Sequence, residues 1–190
     1  MPPDATETKR RLLGAAVEEF AAHGLAGARV DRIAEAAAAN KRSIYMHFGT
    51  KEELFDRVVA DSMAELAQAV SIDAGHLPDY AGALFDRLRQ RPHIKRLYLW
   101  AGLERQQAID AEVREYRRNV AAVEAAQEAG RVRADIPAVE LMAMVIALVI
   151  SWDTASWSLK ALTDQDSPAE HRAAVTAAVA GLVRPPEPHP

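Results

Sequence analysis

The stretch Asn40–Leu54 reads NKRSIYMHFGTKEEL. Asn40 places a side-chain oxygen just ahead of Lys41 and Arg42, which marks it as the N-cap of a short helix running to about His47. Ile44 and Phe48 stand four apart, the spacing of one buried helical face. Gly49-Thr50 breaks that helix, and Thr50 with Glu53 forms a T-x-x-E capping box that opens another at Lys51. Residues 36 to 51 carry no acidic side chain, although the whole chain has a formal net charge of −4 at pH 7. No overall field draws such a protein to a polyanion, so any nucleic-acid contact must come from a local patch, and this segment has that character.

Upstream, Thr6 is expected to cap a first helix with apolar positions Leu13, Ala16, Val17 and Phe20 and a left-handed C-cap at Gly24. A second helix, roughly 30–38, carries Val30, Ile33, Ala34 and Ala37 on one face. The three short helices would share a core of Leu13, Val17, Phe20, Ile33, Ile44 and Phe48. Helix two, a turn and helix three form a helix-turn-helix, in which the second helix enters the major groove while the first crosses the backbone. Arg42 can grip guanine with two hydrogen bonds, and Ser43 can reach phosphate or a base edge. Lys41, Tyr45, His47 and Lys51 can pin adjacent phosphates. On periodicity alone, a solvated basic helix end with Tyr45 and His47 in packing roles is an equal reading.

The rest of the chain also reads as helix, giving an all-α protein of about nine helices over 190 residues. Helix four is expected from Lys51 to about Ile72, helix five over 79–90, helix six over 93–106 and helix seven over 111–129. Helix eight starts at Asp135-Ile136-Pro137 with its proline early in the first turn, and helix nine starts at Ser167-Pro168 and runs to about Val183. With 49% hydrophobic residues the chain can bury a sizeable core. The absence of cysteine excludes disulfide scaffolds, thiolate catalysis and zinc–cysteine sites. The start lacks a basic segment followed by a long apolar run, and the most apolar stretch, 141–152, falls short of the roughly 20 residues that span a bilayer. The expectation is a cytoplasmic protein with no membrane partner. No HExxH, glycine-rich phosphate loop or G-x-S-x-G occurs and the six histidines are scattered, so neither enzyme activity, metal nor cofactor is expected.

The stretch Thr8–Val59 resembles the TetR family of transcriptional regulators. The resemblance rests on Phe20-Ala21-Ala22-His23-Gly24 ending helix one, Ile33-Ala34 in helix two, Tyr45-Met46-His47-Phe48 in helix three and Lys51-Glu52 opening helix four. It implies a helix-turn-helix domain over 7–50, a helical effector-binding and dimerisation domain over 51–184, and flexible termini at 1–6 and 185–190. It implies that Lys41, Tyr45, His47 and Lys51 touch phosphates, and that Arg42, Ser43 and Met46 help read bases. Two departures stand out. Ala28-Arg29 replaces the usual hydroxyl residue before helix two, so that Arg29 supplies charge in place of a cap. Ala38-Ala39 replaces the usual glycine and apolar residue of the turn, which strains Ala38 if it adopts a left-handed conformation.

The resemblance further implies a homodimer through the last two helices, on a palindromic double-stranded DNA operator, acting as a repressor released by a small-molecule effector. Helix nine offers a small-residue stripe of Ala174, Ala177, Ala178 and Leu182. Trp100, Leu103, Glu104, Tyr116, Met142, Ile146, Val149, Trp152 and Asp153 are the tentative effector contacts, although aromatics and methionines at helical spacing also read as plain core. Glu104, Arg105 and Asp153 are the polar groups a ligand would satisfy if they were buried unpaired. The competing class is a helical interaction module with weak or lost DNA binding.

Overall fold

The computed structural model describes residues 5–163 and 167–186. The expected flexible ends therefore lie largely outside the described residues. Among the described residues are eleven α-helices and one 3-10 turn: α1 (Ala5–Gly27), α2 (Val30–Ala36), α3 (Lys41–Phe48), α4 (Lys51–Ala69), the 3-10 turn (Ala74–His76), α5 (Leu77–Gln90), α6 (Pro92–Glu104), α7 (Asp110–Glu128), α8 (Ala138–Val149), α9 (Ser151–Thr154), α10 (Trp157–Lys160) and α11 (Pro168–Val183). The backbone divides into two compact units, residues 1–66 with 91–113, and residues 67–90 with 114–190.

In the first unit, Leu12, Ala16, Phe20, Ile33, Ile44, Leu54, Phe55, Ile94 and Leu97 are fully buried. The Phe20 and Phe55 rings meet edge to face at 5.1 Å, which locks α4 onto α1. The buried stripe of α1 runs through Leu12 and Ala16, one residue ahead of the expected Leu13 and Val17, which are half-buried. The cause is tertiary: α1 packs against both α2 and α6. Phe48 is also half-buried rather than core, lying edge-on to His47 and under the Lys9 ammonium at 5.7 Å. Thr6 is already inside α1 and so is not the residue that precedes it.

Gly24 interrupts α1 at φ 67°, ψ −173°, which is an extended positive-φ conformation rather than the expected left-handed helical cap. The turn after α2 closes as a Schellman motif. The Ala39 amide donates to Ala34 O at 2.9 Å and the Ala38 amide to Glu35 O at 3.0 Å. Ala38 takes the left-handed position at φ 48°, the only non-glycine residue with positive φ among those described. That conformation costs a residue with a Cβ about 1–2 kcal/mol, and glycine's extra freedom in the unfolded chain offsets roughly 0.5–1 kcal/mol of the gain from relieving it. Ala38→Gly is therefore expected to stabilise the protein by about 0.5–1 kcal/mol, read as an increased urea midpoint with an unchanged slope. A lower midpoint would contradict the strain argument.

In the second unit, α5 and α8 pack together and both pack on α11. Leu77, Ala81, Leu141, Val145 and Val179 have no or almost no exposure. Gln127 donates to Arg133 O and Ile136 O, both at 2.8 Å, and the Arg133 amide donates to Val183 O at 3.0 Å. These bonds tie the loop after α7 to the end of α11. Pro137 is the N-cap of α8, not a first-turn residue. The expected helix eight is also divided. The Ser151 hydroxyl donates to Leu148 O at 2.7 Å, and α9 begins there, so Trp152 and Asp153 belong to α9. Ser156 then caps α10 by accepting from the Leu159 amide at 3.2 Å. The nine expected helices become eleven through this subdivision.

Candidate nucleic-acid interface

The start of α3 is built as its residues dictate. Asn40 Oδ1 accepts from the Arg42 amide at 2.8 Å and caps the helix. Ile44 is buried and anchors α3 against α2, which leaves the opposite face outward. On that face Lys41 and Arg42 are exposed, Tyr45 is 50% exposed and Met46 is 70% exposed. Ser43 and His47 are half-buried at its margin. A methionine with that exposure at the centre of a helix face has no packing role in the protomer. The capping box closes the far side: the Thr50 amide donates to Glu53 at 2.7 Å and the Glu53 amide to the Thr50 hydroxyl at 3.1 Å. The bond from the Thr50 amide, and after it the Thr50 hydroxyl, holds the Glu53 carboxyl below its usual range.

The supporting charges are also specific. Lys51 Nζ donates to Ala28 O at 3.3 Å, which places an ammonium beside the start of α2. Arg29 precedes α2 with no side-chain cap, as expected from the missing hydroxyl, and its guanidinium is exposed. Its amide donates instead to Glu19 Oε1 at 2.8 Å. Glu19 also binds Arg32 at 2.6 Å. Burial raises the Glu19 carboxyl, but the hydrogen bonds from Arg32 and the Arg29 amide outweigh it and the net shift is downward.

One carboxylate enters the acid-free face. Asp31, in the first turn of α2, lies 2.8 Å from Lys41 Nζ. The hydrogen bond from Lys41 is the main reason its carboxyl sits below the usual range, and the Lys41 ammonium rises correspondingly. Asp31 and Glu19 were not singled out by sequence. Asp31 lies five positions before the acid-free window, and only the helix-turn-helix brings its turn of α2 to the first turn of α3.

The tentative effector contacts divide between the two units. In the first, Trp100 Nε1 donates to Ala21 O at 3.3 Å and Glu104 accepts from the Leu25 and Ala26 amides. Arg96, one turn earlier on α6, donates to Ala21 O at 2.5 Å and to Ala22 O at 3.2 Å. Arg96, Trp100 and Glu104 thus form one face of α6 that holds the end of α1. Arg105 pairs with Asp56 at 2.5 Å. Glu104 and Arg105 are therefore not the unpaired buried charges that a ligand would satisfy. Leu103 is 78% exposed, so it lines no closed cavity in this unit. Asp153 is exposed as well. In the second unit Met142 and Val149 are buried in the core, Tyr116 and Ile146 are half-buried, and Trp152 stacks on His171 at 4.3 Å. A carboxyl missed by sequence, Glu112, is raised by burial and in turn raises the phenol of Tyr98, itself pushed up chiefly by burial.

Comparison with known proteins places both parts of the chain in one family. Residues 12–58 match the family described as bacterial regulatory proteins, tetR family, and residues 76–180 match the tetracyclin repressor-like C-terminal domain. The HTH-type transcriptional repressor SCO4008 of Streptomyces coelicolor is 42% identical over 149 residues, covering 76% of this chain and 78% of its own length. The HTH-type transcriptional repressor NicS of Pseudomonas putida is 40% identical over 65 residues, 34% of this chain and 31% of its own. The crystal structure of SCO4942, a candidate transcriptional regulator from Streptomyces coelicolor, aligns over 95% of this chain and 99% of its own with a TM-score of 0.82 and 33% identity.

Proposed function

We propose a function from one premise: the chain belongs to the TetR family of bacterial regulatory proteins. It acts in the cytoplasm as a dimeric repressor that binds a palindromic operator, and a small-molecule effector releases it. It is not an enzyme. The observation that carries DNA reading is the outward face of α3, where Arg42 and Met46 are exposed while Ile44 holds the helix from behind. Arg42, Ser43 and Met46 read base edges, and Arg29, Lys41, Tyr45, His47 and Lys51 meet the backbone. Among the described residues no helix is long and apolar enough to cross a membrane, which accords with this role.

Dimerisation is supported by surfaces that the protomer leaves open. Val139, Ala143, Met144 and Ala147 are exposed along α8, and Ala173, Ala174, Ala177 and Ala178 along α11. Leu182, expected with that stripe, is half-buried. Two α8–α11 pairs forming an isologous interface would give a two-fold dimer, the symmetry required by palindromic half-sites one DNA turn apart, roughly 34–36 Å. An effector acts by favouring a dimer with a different separation, which requires unequal affinity for the two states.

The test is selection of genomic fragments by the purified protein, followed by titration of the selected duplex and a scrambled duplex over a salt series. The selected duplex is expected to bind more tightly, with affinity falling as salt rises. Arg42→Ala should lose about 1–3 kcal/mol of discrimination at one base pair. Lys51→Ala should weaken both duplexes and flatten the salt slope by about 0.9. Equal affinity for selected and scrambled DNA would favour the interaction-module reading instead.

A further inference from the structure

We propose that Asp31 sets the DNA specificity of this protein by occupying Lys41 in the free state, so that Lys41 reaches phosphate only when α3 is fully docked. The inference rests on the DNA-binding reading above.

The geometry is direct. Lys41 is the first residue of α3 and Asp31 the second of α2, and their charged groups meet at 2.8 Å across the helix-turn-helix. Both side chains are about half exposed or more, at 47% and 64%, so the pair faces solvent and is open to competition from a phosphate. Arg29 adds positive potential beside Asp31, and Tyr45 flanks Lys41 on its own helix. Among the described residues, Asp31 is the carboxylate that pairs with Lys41.

An exposed ion pair of this kind contributes little to stability. Its consequence lies in what it withholds. Non-specific DNA binding consists almost wholly of phosphate neutralisation and counterion release, so one cation spent on an internal carboxylate is a full loss there. In a specific complex, base contacts from Arg42, Ser43 and Met46 hold α3 in the groove, and Lys41 can exchange the carboxylate for a phosphate at fixed distance. Asp31 therefore weakens random binding more than operator binding, which raises the specificity ratio.

The experiment is a salt titration of wild type, Asp31→Asn, Lys41→Ala and the double variant, each on the selected duplex and on a scrambled one. Asparagine keeps the shape of an exposed residue, and a thermal melt of each variant reports folding. Asp31→Asn should tighten scrambled-DNA binding about two- to five-fold and steepen its salt slope by about 0.9, with a smaller gain on the selected duplex. Both changes should vanish in the Lys41→Ala background. An unchanged slope, an equal gain on both duplexes, or an equal gain with and without Lys41 would overturn the proposal. Wild type with no salt-dependent binding to either duplex would instead overturn the DNA-binding reading, and this inference with it.

Discussion

Replacing Gly24 with alanine is expected to destabilise the protein by about 3 kcal/mol, from two independent costs. The first is conformational: φ 67° with ψ −173° is open to glycine and costs other residues about 1–3 kcal/mol. The second is steric. A Cβ there would lie 2.8 Å from Glu104 Oε2 and from two ring carbons of Trp100. Neither neighbour can retreat freely. Trp100 is bonded to Ala21 O and Glu104 to the Leu25 and Ala26 amides, so making room breaks the contacts that hold α1 on α6. Overpacking of this kind costs about 1–3 kcal/mol. For a chain of this size the melting temperature should fall by about 6–12 °C. Gly14→Ala is the control, since a Cβ at Gly14 meets nothing within 4 Å and α1 is helical there. That change should be neutral or stabilising by up to about 1 kcal/mol. A Gly24→Ala melt within 2 °C of wild type would remove the close approach of α6 to α1 from the account of the fold.

What could be read from sequence was what is settled within a few residues. Asn40 as a cap, Thr50 with Glu53 as a capping box and Ser167 as the cap of α11 are each a side chain meeting an amide two or three positions on. Strain at Ala38 was legible only through the resemblance, in which glycine usually holds that turn, and Ala38 does take the left-handed position at φ 48°. What escaped was decided at long range. Leu12 and Leu13 differ by about 100° around the helix, and the packing of α1 against α2 and α6 chooses between them. Trp100 and Glu104 read equally well as pocket walls. Their partners lie 79 residues away, and nothing local indicates that they are committed to the backbone of α1. The split of the eighth helix turns on one hydroxyl, Ser151, inside an apolar run whose periodicity continues past it. Asp31 escaped because charge was counted along the chain, whereas α2 and α3 bring charges together across a turn.

The same distinction governs the second large effect, Ala177→Arg, which is expected to yield a monomer with operator affinity reduced at least about 100-fold. Ala177 is exposed on α11 while Val175 and Val179 face the protomer's own core. Arginine is a good helix former, and an exposed substitution typically changes stability by no more than about 0.5 kcal/mol. The protomer should therefore melt as wild type does. In the proposed dimer, Ala177 would lie on the face of exposed alanines along α11 that lets two helices approach closely, and a guanidinium there would meet both bulk and desolvation. Two linked reading helices gain about 10²–10⁴ in avidity over one, and that factor is lost when the link breaks. Scrambled-DNA binding should change far less, because phosphate contacts by one protomer survive. Sedimentation gives the mass, and titration on the selected and scrambled duplexes gives the two affinities. An Ala177→Arg protein that stays dimeric would place the interface elsewhere, for which the exposed Trp157 and Leu162 between α9 and α11 are the next surface to substitute. A monomer that kept full operator affinity would instead break the connection between two-fold symmetry and DNA reading.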